Sequence, residues 1–458
     1  MVNDWPQYRL DEVTHLIIDC PHSTPKWTDE GVVVLRSQNI RNGRLDLTSP
    51  SYTTEDGYRN RIKRAVPAAG DLVFTREAPM GEVCQIPEGL ECCLGQRMVL
   101  IRANQERIDP KYLLFMLQSS YLQHQINWNE GTGTTVSNIR IPNIKAFNIP
   151  TPPLSEQKAI AHILGSLDDK IELNRQMNTT LESMAQALFK SWFVDFDPVI
   201  DNALAAGNPI PEPLHARAET RKALGDRRKP LPEAIQKQFP CRFVLSAEMG
   251  WLPDGWEVQT LDSMIELIGG GTPKTSIDEY WGGNIPWFSV VDAPNASDVF
   301  VRNTEKKITL QGLDNSSAKL LPKGTTIISA RGTVGKCAVV AKPMAMNQSC
   351  YGIRGKNNIT DYFVYYTILL RVADLQQRGH GSVFNTITRD TFKTLKTPNC
   401  GAKLSVSFDK TVGPYMDNIL LNIEQSSDLA KLRNTLLPKL LSGKLRVPEA
   451  EKLMAEAL

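Results

Sequence analysis

The side chains that could do chemistry are few, polar and basic. Arg76 closes the run Leu72-Val73-Phe74-Thr75-Arg76, and Arg331 closes Thr326-Ile327-Ile328-Ser329-Ala330-Arg331. Gln96-Arg97 and Gln348 stand in related strings, LGQRM and MNQSC. Arg and Gln carry the forked donors that read guanine and adenine edges in the major groove. With Thr134, Lys274, Lys336 and Ser382 in or beside glycine-flanked loops, they form a candidate DNA-contacting set. An Arg at a strand end also serves as an ordinary surface ion-pair partner, and the residues alone leave both uses open. Arg59, Arg61 and Lys63 would share one face of an extended chain, either solvated or set against phosphates.

Catalytic constellations are missing from the sequence. No GxxxxGK[ST] phosphate loop occurs, no HExxH and no GxSxG elbow. The glycine-rich Gly269-Gly270-Gly271-Thr272-Pro273-Lys274 has the wrong spacing for a phosphate cradle and reads as a turn. No Asp/Asn-Pro-Pro-aromatic string, the kind amino-methyltransferases use at the reacting base, is present; Asn208-Pro209-Ile210-Pro211 comes nearest. The six His pair at no metal-ligand spacing, so no metal is expected. The chemistry left is recognition.

Positioning such residues requires folded domains. The 458 residues suffice for two or three, and 41% hydrophobic with 22% charged residues is globular usage. A net charge of +2 excludes a protein that coats nucleic acid by bulk charge. No apolar run approaches a membrane span, and MVNDWPQYRL has no apolar core to serve as a secretory signal. Eight Cys without CxxC spacing read as reduced thiols, which points to the cytoplasm.

The halves repeat. GTGTTVSNIRIPNIKAFNIPTP begins at 131 and GHGSVFNTITRDTFKTLKTP at 379; Ile139 falls on Ile387, Phe147 on Leu395 and Pro150 on Pro398. Phe74-Thr75-Arg76 aligns with Ser329-Ala330-Arg331, and Trp5-Pro6 with Trp251-Leu252-Pro253. A period this long means a duplicated domain rather than a solenoid. Each copy alternates short β-rich runs with turns and then has an amphipathic helix, at 110–125 and 361–377. The fold class is α+β, repeated.

Each half ends in a helical pattern. Ile160, Leu164, Leu167, Ile171, Leu181, Ala185, Leu188 and Trp192 alternate steps of four and three, as in a coiled-coil seam. Phe408, Val412, Tyr415, Ile419, Leu429, Arg433, Leu436 and Leu440 answer them, with Arg433 the polar exception and Pro414 a first residue or a kink. Asn174 and Asn178 fill the two skipped steps of the first seam, Asn422 and Ser426 those of the second. They read either as a solvated face or as a polar layer fixing register, and antiparallel packing brings Asn174 near Asn422. Between the patterns, residues 213–243 carry 8 basic and 3 acidic residues, a net of +5, and read as a solvated linker or a phosphate-contacting segment. Residues 1–150 hold 16 basic against 17 acidic residues and 251–403 hold 17 against 13, so neither half should hold DNA tightly alone.

Gly271-Thr272-Pro273 followed by EYWGGNIPW at 279–287, Asp19-Cys20-Pro21-His22-Ser23-Thr24-Pro25, Pro152-Pro153-Leu154-Ser155-Glu156-Gln157, and LRNTLLPKLLSGKL at 432–445 together resemble the specificity subunit of Type I restriction–modification enzymes. The resemblance covers nearly the whole chain; the second half lacks Pro-Leu-Ser-Glu-Gln at its helix start, where Leu404-Ser405-Val406-Ser407 stands. It implies two target-recognition domains, at 1–154 and 251–403, and two long antiparallel coiled-coil spacer helices, at 155–193 and 404–445. A linker at 194–250 and a tail at 446–458 complete the division. It further implies a non-catalytic chain that reads a bipartite double-stranded DNA target and docks two modification subunits. Those subunits bind S-adenosylmethionine and methylate adenine, and restriction subunits using ATP and Mg join where present. The chain itself would bind no cofactor. The rival classes are a self-contained DNA methyltransferase or nuclease with its own recognition domain, and a coiled-coil scaffold binding only protein.

Overall fold

The computed structural model describes residues 5–41, 43–129, 138–227, 230–294, 298–379 and 386–455. The chain divides into two units, Met1–Glu172 with Gln425–Leu458, and Leu173–Glu424.

In the first unit, β-branched and aromatic runs build an antiparallel sheet in the order Thr14–Asp19, Met98–Ala103, Leu72–Arg76, Met80–Gln85. A second sheet runs Cys92–Leu94, Val32–Leu35, Ser51–Thr53, Trp27–Thr28, with its first two strands parallel. The second unit repeats the plan. Ile265–Gly269, Cys350–Gly355, Thr326–Ser329 and Cys337–Val340 form the first sheet, extended by Phe300–Val301. Lys306–Ile308, Trp281–Phe288 and Ala345–Met346 form the other, the last pair again parallel. Terminal strands close each domain antiparallel: Gln7–Arg9 on Asn148–Pro150, and Glu257–Thr260 on Lys396–Asn399. The α+β reading with a duplicated domain therefore holds.

The registers correct two alignments. Gln7 pairs with Pro150 and Val258 with Pro398, so Trp5 corresponds to Trp256, not to Trp251. The helix expected over 110–125 is two, Pro110–Gln118 and Ser120–Trp128, because the Ser119 hydroxyl caps a new start at Leu122.

The long helices are Leu154–Phe193 and Ala402–Leu441, 40 residues each. The second begins two residues before 404 and runs unbroken through Pro414, whose ring lies on the exposed side, so the proline neither starts nor ends it. In the first unit Ile160, Leu164 and Leu167 share a core with Leu429, Leu436 and Leu440. In the second, Ala185, Phe189 and Trp192 share one with Phe408, Val412 and Ile419. The start of one helix thus meets the end of the other within each unit, an antiparallel pairing. Arg433, the polar exception in the seam, is answered by Asp168 at 2.5 Å, which also takes Arg44 at 3.2 Å.

The segment 194–250 is no solvated tether. It folds in the second unit as helices Asp197–Ala206 and His215–Leu224 and the hairpin Phe243–Ser246/Gly250–Pro253. Phe196, Val199 and Phe239 enter the core beside Trp192 and Trp256. Burial raises the Asp197 carboxyl, but hydrogen bonds from Arg217 and Ser191 and the charge of Arg221 more than offset this and hold it below its ordinary value. Arg221 also pairs with Asp201. Two of the basic side chains offered for phosphate are thus spent on internal carboxylates. Arg228 and Lys229 lie outside the described residues.

Candidate nucleic-acid interface

The described candidate residues gather, unit by unit, at one end of the first sheet. Hydrogen bonds fix which positions correspond. Arg76 N donates to Arg97 O and Ile139 N to Arg76 O; Ala330 N donates to Ser349 O and Ile387 N to Ala330 O. Arg76 therefore corresponds to Ala330, Arg97 to Ser349, and the next residue, Glu77, to Arg331. The bridges agree, Glu77 facing Asn138 and Arg331 facing Thr386. The expected match of Arg76 with Arg331 is off by one residue, which in a strand turns the side chain to the opposite face.

The correspondence extends along the hairpin. Thr75 Oγ1 accepts from Glu82 N at 2.9 Å, and Ser329 Oγ accepts from Lys336 N at 2.9 Å. Glu82 thus stands where the second unit has Lys336. Both positions carry opposite charge in the two units. That signal is visible in the sequence at an offset of 254, once the one-residue error is removed.

One feature is shared. Gln96 donates to His22 O and, at 3.3 Å, to Thr24 Oγ1; Thr272 Oγ1 donates to Gln348 Oε1. Each Thr is followed by a buried Pro and an exposed Lys, Pro25-Lys26 and Pro273-Lys274. The second loop is pinned by Trp287, whose indole donates to Gly271 O at 2.9 Å. Gly271 is obligatory there, since a Cβ would lie 2.2 Å from the Ala318 nitrogen. The first loop is pinned by Arg61, which is buried and donates to the carbonyls of Leu94, Ser23 and Pro21. Burial pulls its pKa down. Arg61 lies on a short helix, Glu55–Arg61, and Arg59 pairs with Glu55. The expected basic face of extended chain does not form: Thr54 caps a helix start instead.

Arg76 is held 2.7 Å from Asp19, which also faces His22 at 2.9 Å, and Arg97 is 3.4 Å from Glu77. Lys274, Arg331 and Lys336 are exposed, and none has an ion pair among the described residues. Thr134 and Ser382 lie outside the described residues. Sequence reasoning missed Asp19, Glu77 and Glu82 because it sought donors only.

In the second unit's part of the long helices, Asn174 and Asn178 are buried. Asn422 Nδ2 donates to Asn178 Oδ1 at 2.9 Å, and Asn174 Nδ2 approaches Asn422 O at 3.5 Å. Asn178 also bonds Asp298, whose carboxyl burial pushes up against that bond and the charge of Arg175. Ser426 belongs to the other unit. Among the described residues no cluster of metal-ligating side chains occurs, and no helix is long and apolar enough to cross a membrane.

Residues 3–183 and 253–398 match the family described as Type I restriction modification DNA specificity domain. The chain is 29% identical over 473 residues to the Type I restriction enzyme HindI specificity subunit of Haemophilus influenzae, covering 97% of this chain and 100% of that one. The MjaIX specificity subunit of Methanocaldococcus jannaschii is 28% identical over 184 residues, 40% of this chain and 42% of the relative. Among solved structures, the S subunit of a Type I restriction–modification system from M. genitalium superposes with a TM-score of 0.55 at 17% identity. That match covers 96% of this chain and 97% of the other, a likeness of fold.

Proposed function

The chain belongs to the family of Type I restriction–modification DNA specificity subunits, and from that premise we propose that it reads a bipartite DNA sequence, one half with each unit, and presents the site to subunits that methylate adenine. As a specificity subunit it is a recognition component and not the catalyst. The observation that carries the reading is the duplicated sheet edge, which sets polar and basic side chains in corresponding loops of two domains of one fold. Two similar domains with different residues at matching positions suit two different half-sequences.

The long helices dock two modification subunits. Leu173, Met177 and Met184 leave an exposed apolar stripe on the second unit's part of the first helix, spaced as a second seam, and Leu421 is exposed on the other helix. Near-neutral recognition domains need positive surface from such partners to hold DNA firmly. S-adenosylmethionine belongs to the modification subunits, and ATP with Mg to restriction subunits where they join. The chain binds no cofactor of its own. Eight unpaired cysteines suit a cytoplasmic setting. Methylome sequencing of the host with and without the gene tests the reading. One bipartite adenine-methylated motif should vanish on deletion; an unchanged methylome contradicts it.

A further inference from the structure

Two units of one fold act as an internal comparison. The Thr–Gln pair with its following Pro-Lys is common to both, so it cannot distinguish one half-sequence from the other. The hairpin that follows Leu72–Arg76 in one unit and Thr326–Ser329 in the other differs in charge. It carries Glu77 and Glu82 in the first, Arg331 and Lys336 in the second. The first unit's neighbouring cations are already matched, Arg76 to Asp19 and Arg97 to Glu77. The second unit has Ala330 and Ser349 at those two places, and its hairpin cations are exposed with no ion pair among the described residues.

We infer that the two half-sites are held unequally: the second unit's hairpin, through Arg331 and Lys336, supplies phosphate-neutralising contacts that the first unit's hairpin cannot make. A carboxylate close to a phosphate is repelled. Glu77, spent on Arg97, and Glu82 offer no cation to a phosphate, so the first hairpin adds no electrostatic hold on the backbone. Positioning on the duplex comes mainly from the second unit, and the first discriminates with little electrostatic pull. This rests on the DNA-reading function proposed above.

The test is binding of a long random-sequence duplex across a salt series, by the full chain purified with the subunits that accompany it. Each phosphate neutralised contributes about 0.9 to the slope of log affinity against log salt. Arg331→Ala with Lys336→Ala should flatten the slope by about 2, while Arg331→Lys with Lys336→Arg should restore it. Glu77→Gln with Glu82→Gln should leave the slope unchanged or steepen it. All these side chains lie at the surface or partly exposed, so unchanged thermal melts will show that folding is intact. A slope unmoved by the alanine pair, or flattened equally by the glutamine pair, overturns the inference. Failure of the unaltered assembly to retain any duplex overturns the DNA-reading function itself.

Discussion

At the sheet edge of the first unit Arg76 and Arg97 each face a carboxylate, Asp19 and Glu77; at the same edge of the second, Arg331 and Lys336 face none among the described residues. The backbone hydrogen bonds that place these residues correspond one for one. Duplication has kept the scaffold and exchanged the charges on it. Fold and the proposed recognition thus rest on different atoms: the strand ladder on main-chain groups and buried apolar residues, the proposed DNA contacts on a few exposed ends. The interiors differ as well. The first unit grips the long helices with Ile160, Leu164, Leu167 and the leucines 429, 436 and 440. The second uses rings, with Phe193 lying 4.9 Å from Phe363 and 5.4 Å from Phe408, centroid to centroid.

The interior difference can be broken first, where the effect is largest. Trp192 is fully buried in the second unit and meets Phe239 and Phe408 edge-on. Trp192→Ala should cost about 3–5 kcal/mol, and Leu164→Ala in the first unit about 2–4 kcal/mol. Hydrogen exchange should rise only in the unit that carries each substitution. Exchange rising in both units for either variant would mean that the cores are not separate.

A smaller difference lies in how each domain is tied to its long helix. In the first unit the amide of Gln157 accepts from Asp109 N and donates to Arg107 O at the start of helix Pro110–Gln118. In the second, Asp409 accepts from the backbone of Tyr362 and Phe363 at the start of helix Asp361–Gly379. Burial pushes the Asp409 carboxyl up to about 6, despite bonds that favour its charge. The folded state therefore holds its proton where the unfolded chain has lost it, so this group's contribution to stability is full below about pH 4 and falls as pH rises to about 6. Asp409→Asn cannot titrate. Relative to wild type it should gain up to about 3 kcal/mol across that window, followed by chemical denaturation at each pH. Gln157→Glu, in contrast, should introduce a similar pH dependence into the first unit. A variant–wild-type difference that stays flat with pH would sink the assignment.

Much of this was legible in the sequence, for physical reasons. The helical seam was readable because core burial imposes a period, and its polar exception, Arg433, was visible as one; its partner Asp168 was not, since an ion pair leaves no period. The repeat was readable where apolar residues recur, as at Ile139 and Ile387. It was misread at Arg76 and Arg331 because like residues attract an alignment, while strand pairing fixes the register. The segment after Phe193 read as a linker because its charges stand close together in sequence. In space Arg217 and Arg221 fold back onto Asp195, Asp197 and Asp201. Arg61 read as part of a basic run, solvated or set against phosphates, whereas three carbonyls use it as a staple.

The central claim is that each unit reads its own half of one DNA sequence. Exchange of residues 1–150 for the corresponding region of a relative with a different target tests it most directly, with the methylated sequence of the host genome as the readout. The account predicts a hybrid motif in which one half is new and the other unchanged. A motif altered in both halves, or altered only in the half assigned to residues 251–403, would contradict it.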